Sequence, residues 1–105
     1  AVVLALSACA TLRGGIDTVA RVWDVTDERF TSWTTDEADT IVSLRVNGKI
    51  AEADRRSERL AALTVQWDGI SRDVDIALQA SEADDAWEAT KVALAVLHEV
   101  GAVKR

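Results

Sequence analysis

At 105 residues the chain has room for a single domain, and its mix of 49% apolar and 29% charged side chains is that of a globular protein rather than a disordered one. Proline is absent and glycine occurs five times, which suits helices and leaves few of the turns a β-sandwich requires. A net charge of −6 argues against nucleic acid as a main partner, because phosphate contacts need clustered Lys and Arg, and a single cysteine cannot close an internal disulfide.

The first eight residues, Ala-Val-Val-Leu-Ala-Leu-Ser-Ala, carry no charge. They are too few to span a bilayer, which takes about 20 residues. They match instead the apolar stretch of a secretory signal, which ends in small residues. No initiator Met or basic leader precedes them, so the expectation is a signal remnant over residues 1–8. Leu6-Ser7-Ala8-Cys9 is an aliphatic residue, two small residues and a cysteine, and it resembles the lipobox of bacterial lipoproteins. The resemblance covers residues 1–9 alone. It implies a diacylglycerol on the Cys9 thiol, cleavage before Cys9, acylation of the new amino group and a membrane partner reached through that lipid. Ala10, where an Asp would signal retention, looks like an outer-membrane address facing the periplasm. Several acyl chains on one residue hold a protein stably where one is marginal. Arg13-Gly14-Gly15 then reads as the end of a flexible leash over residues 9–15. A second reading stands beside this one: residues 1–12 form a core helix of a soluble assembly component, bacterial or phage, with Cys9 a buried thiol.

From residue 16 to 105 the pattern is helical. Ile16, Val19, Trp23, Thr26, Phe30 and Trp33 step by 3 and 4 and share one stripe, with Asp17 as N-cap. Thr34-Thr35-Asp36-Glu37 has the form of a capping box, from which a short second helix would carry Ile41, Val42 and Leu44 inward. Asn47-Gly48 is the strongest turn signal and reads as a helix end. Leu60, Leu63, Trp67, Ile70, Val74 and Ala77 form a heptad seam, interrupted at Gly69, where a bend or break is allowed. Ser81-Glu82-Ala83-Asp84 opens a last helix, with Ser81 as N-cap, and Gly101 closes it. Trp87, Thr90, Leu94 and Leu97 line one face of that helix, broadened by Val92, Val96 and Val100. The expected fold is all-α: an antiparallel three- to four-helix bundle with coiled-coil-like seams and Trp23, Trp33, Trp67 and Trp87 as its aromatic core.

Residue types for catalysis are scarce. His98 is the lone histidine, and Ala95 stands where a di-iron Glu-x-x-His motif needs Glu. Its place is a surface or boundary position. No second thiol accompanies Cys9, Asp73-Val74-Asp75 lacks the Gly and Glu of a calcium loop, and Gly14-Gly15 is too short for a phosphate loop. No catalytic residue, metal site or cofactor is therefore expected, and the sole site residue is Cys9, for lipidation.

Charge is uneven. Residues 24–39 hold six acids against Arg29, while residues 45–59 hold five bases against three acids. Opposite fields favour packing of these segments on one another, although solvated helix faces account for them as well. Arg55, Arg56 and Arg59 suit anionic headgroups or a partner, and Glu82, Asp84, Asp85 and Glu88 suit a basic partner or the helix dipole. A partner protein is not identified by these features. A monomer is the favoured state, because residues 16–33 supply a seam for residues 60–77 within one chain, and a coiled-coil dimer is the alternative.

Overall fold

A computed structural model describes residues 2–102, with side chains from 15 to 102. The chain is helical throughout, in the order α1 (Val2–Val46), α2 (Ile50–Gln79) and α3 (Ala83–Glu99), with no strand among the described residues. Each helix packs against both of the others. The anchoring expectations, namely the signal remnant, Cys9 and the leash as far as Gly14, lie outside the described side chains.

Two sequence-based boundaries are corrected. α1 does not stop before Thr34; it continues to Val46. The threonines that suggested a capping box instead donate back into their own helix, Thr34 and Thr35 both to the Thr31 carbonyl at 2.7 and 3.1 Å. Such bonds satisfy a mid-helix hydroxyl without ending the helix. Glu37 is drawn to Arg56 rather than to a cap. Asp17 likewise lies inside α1 and caps nothing. Gly69 does not break α2, which runs unbroken to Gln79.

All three helices end in the same way. Lys49 N–H donates to the Leu44 carbonyl and Gly48 N–H to that of Arg45; Glu82 donates to Ala77 and Ser81 to Leu78; Ala102 donates to Leu97 and Gly101 to His98. Each is a Schellman closure, which pairs the last carbonyls and needs a left-handed residue just past the helix. Gly48 (φ 79°), Ser81 (φ 55°) and Gly101 (φ 76°) fill that position. Ser81 is therefore a helix terminator, not the N-cap of α3. That role falls to Glu82, whose side chain makes no capping bond.

The buried core follows the 3–4 stripes. Val19, Trp23, Thr26 and Phe30 of α1 and Trp67, Ile70, Val74 and Ala77 of α2 are buried. In α3 the inward stripe is Ala86, Thr90, Ala93, Val96 and Leu97. Trp87 falls one position off that stripe and is 38% exposed, so three tryptophans, not four, belong to the core region. Val42 also points outward, at 60% exposure, whereas Ile41 is buried. The clusters that join all three helices take α1 residues between Val19 and Trp33 and α2 residues between Leu63 and Leu78. Beyond them, toward the α1–α2 turn, burial rests on Ile41, Ala53 and Glu37.

Two substitutions test the backbone account. A Cβ on Gly69 meets nothing within 4 Å, so Gly69→Ala is expected to raise stability by about 1 kcal/mol in urea melts through helix propensity alone. Ser81→Gly removes the cost of a left-handed non-glycine residue but loosens the unfolded chain, for a net gain of about 0.5 kcal/mol. A loss of stability in either variant contradicts the assignment.

Candidate functional site

The best-organised side chains surround Trp67. Its ring stacks on Phe30 with centroids 4.0 Å apart and planes within 4°, and on Trp23 at 5.6 Å and 20°. Phe30 in turn meets Trp33 at 5.8 Å. The indole Nε1–H of Trp67 donates to Asp27 Oδ1 at 2.8 Å. The heptad spacing that puts Trp23, Phe30 and Trp67 inward also sets Asp27 one turn from Trp23, at the edge of the stack. An offset aromatic pair adds about 0.5–1.5 kcal/mol beyond area burial, and the carboxylate satisfies the one polar atom the indole brings into the core.

Above this stack lies a groove of about 590 Å³ between α1 and α2, bordered by Asp27, Thr31, Thr35, Asp39, Thr64 and Asp68. Its polar groups are largely committed. Thr31 and Thr64 donate to the carbonyls of Asp27 and Leu60, and Asp27 accepts from Trp67. Phe30 and Trp67, on its floor, are 5% and 3% exposed, so they offer almost no ring face to a ligand. The groove has neither a free nucleophile beside a base nor a cation.

Nearer the α1–α2 turn, Arg56 reaches Glu37 with Nη2–Oε1 at 2.6 Å and Nε–Oε2 at 3.4 Å. Glu37 is 6% exposed, so the guanidinium supplies the countercharge its carboxylate needs away from water. The hydrogen bond to Glu37 raises the Arg56 pKa above its ordinary value; desolvation works against it, and the charges of Glu37 and Glu52 add to it. Arg45 pairs with Asp54 at 2.9 Å. The opposed charge runs noted in the sequence meet through the Glu37–Arg56 pair, while Arg45–Asp54 joins a base and an acid of the basic run itself across the turn.

At the α2–α3 turn, the neighbouring Asp85 carboxyl raises the Glu82 pKa above its ordinary value, by favouring a shared proton and by its charge. His98 is exposed in the last turn of α3 and Asp73 and Asp75 are exposed on α2. No group of three or more His, Cys, Asp or Glu that could hold a metal occurs among the described residues. No helix among them is long and apolar enough to cross a membrane. Sequence reasoning missed the Trp67–Asp27 bond and the burial of Glu37. The only available signal was that Asp27 and Glu37 sit on or next to the apolar stripe rather than opposite it.

No protein-family model, curated protein or solved structure is similar to this chain.

Asp27→Ala should cost about 1–2 kcal/mol by stranding the Trp67 N–H, and should shift tryptophan emission, while Asp27→Asn keeps an acceptor and most of the stability. Equal losses in both variants would show that the hydrogen bond contributes nothing.

Proposed function

We propose that this chain is a small lipoprotein of the bacterial cell envelope, tethered through acyl groups on Cys9 and acting as a structural or interaction module. Its helices form an antiparallel three-helix bundle held at the periplasmic face of the outer membrane. The observation that carries the tether is Leu6-Ser7-Ala8-Cys9, directly behind an uncharged apolar run. Support for the antiparallel order comes from the contacts between α1 and α2: Arg45 meets Asp54, Glu37 meets Arg56 and Asp27 meets Trp67, the α2 number rising as the α1 number falls. Three-residue turns between helices suit antiparallel neighbours, and the 3–4 burial pattern supports coiled-coil-like seams. A module of this kind needs a stable scaffold and exposed side chains for contact, and no residue is assigned a catalytic role.

The second reading keeps its own support. α1 begins at Val2, so residues 2–12 belong to the same helix as the described core, as a soluble assembly component would have it.

Expression of the gene in a bacterium with lipoprotein-processing enzymes separates the two. Under the tether, the mature N-terminal peptide begins at an acylated Cys9, and Cys9→Ala moves the protein from the membrane fraction to the soluble one. An intact, unacylated segment 1–9 and unchanged fractionation of the variant would overturn it in favour of the soluble component.

A further inference from the structure

Asn47 is the chain's single asparagine, and Gly48 follows it. Both are exposed at the α1–α2 turn. An asparagine side-chain amide is an electrophile, and the backbone nitrogen of the next residue is the nucleophile nearest to it. Glycine leaves that nitrogen unshielded, since no Cβ stands beside it. The space around Gly48 is also open, for a Cβ placed there would meet nothing within 4 Å. In the closed turn the two groups are kept from reacting. Asn47 N–H donates to the Ser43 carbonyl at 3.0 Å, so helical hydrogen bonding reaches it, and Gly48 N–H donates to the Arg45 carbonyl at 3.1 Å. Side chains in this geometry tilt toward the helix N-terminus, and Asn47 Nδ2 accordingly leans back to Ser43 Oγ at 3.5 Å, away from the Gly48 nitrogen.

We propose that Asn47 is a site of spontaneous deamidation, controlled by opening of the Schellman closure at the α1–α2 turn. Once the closure opens, hydroxide takes the Gly48 amide proton and the nitrogen attacks Asn47 Cγ. The N–Cγ bond forms, the Cγ–Nδ2 bond breaks, and Nδ2 leaves as ammonia after taking a proton from water. The product is a cyclic succinimide. Water then opens the ring: cleavage of the new N–Cγ bond leaves aspartate, and cleavage of the bond to the Asn47 carbonyl carbon leaves isoaspartate. Local packing favours the opening. The cluster that joins all three helices reaches no farther along α1 than Trp33, and this end is held by Ile41, Ala53 and the Glu37–Arg56 and Arg45–Asp54 pairs. A segment so held opens without unfolding of the whole. Either product sets a carboxylate at the negative end of the α1 dipole. Isoaspartate also adds a backbone carbon within the turn, which spoils the spacing that Gly48 and Lys49 N–H need to reach the Arg45 and Leu44 carbonyls. The modification is a one-way loosening of this turn, and it depends on neither reading of the N-terminus.

Incubation of the full chain in mildly alkaline buffer tests it, with peptide mapping by mass spectrometry to separate the amide, aspartyl and isoaspartyl forms of the peptide around Asn47. Wild type is expected to convert in buffer, at least about tenfold more slowly than the same chain unfolded in urea. Ile41→Ala loosens the α1–α2 end and is expected to speed conversion in buffer at least about fivefold, with circular dichroism checking that the helices remain. If that variant loses its helical signal, Arg45→Ala takes its place; it removes an exposed ion pair at the same end and is expected to speed conversion about twofold. Conversion in buffer as fast as in urea would overturn the proposal, because the closure would then protect nothing. So would a folded variant that converts no faster than wild type, or wild type and variant that both stay intact in buffer while the unfolded chain converts.

Discussion

Everything in the three-helix part of the molecule is arranged around the burial of one indole. Trp67 is flat against Phe30 on one side and near-parallel to Trp23 on the other, so two turns of α1 and one turn of α2 are fixed in a single register. A large ring with one N–H donor has few orientations that leave no polar atom unpaired, and Asp27 selects among them. The small residues of α3, Ala86, Thr90 and Ala93, are fully buried. Their size allows the third helix to approach an aromatic layer closely, and the Thr90 hydroxyl avoids a penalty by donating to the Ala86 carbonyl.

The two longer stripes were plain in the sequence because six positions apiece repeated at 3 and 4, and a seam of Trp, Phe, Leu, Ile and Val is hard to place in water. α3 was harder. Its true inward stripe is mostly Ala and Thr, so hydrophobicity alone drew attention to Trp87 and Val92, which face out. Burial there follows size and fit rather than apolar area. Thr34–Glu37 misled for a related reason: Ser and Thr carry the same hydroxyl whether they cap a helix or bond back into it. The choice is made by tertiary contact, here the pull of Arg56 on Glu37. Ser81 shows that a left-handed terminator can hide behind a residue that usually starts helices. The proposed acylation of Cys9 rests on a different kind of information, since a processing signal is read by enzymes and not by the packing of a core.

Repetition of one closure at three helix ends has an economy of its own. The same pair of hydrogen bonds satisfies the terminal carbonyls each time, and in both connections the residue completing the closure is also the first residue of the next helix boundary, Lys49 and then Glu82. With no spare residue in either connection, the path of the chain is set by the turn and its angle cannot drift.

α3 is 17 residues long against 30 for α2. The third helix therefore runs out well before the α1–α2 turn, and the last stretch of that pair is held by Ile41, Ala53 and the Glu37–Arg56 and Arg45–Asp54 contacts. Such a two-helix extremity opens at lower free energy than the rest, so its amide protons trade with solvent by local fraying while those around Trp67 wait for the whole molecule to come apart.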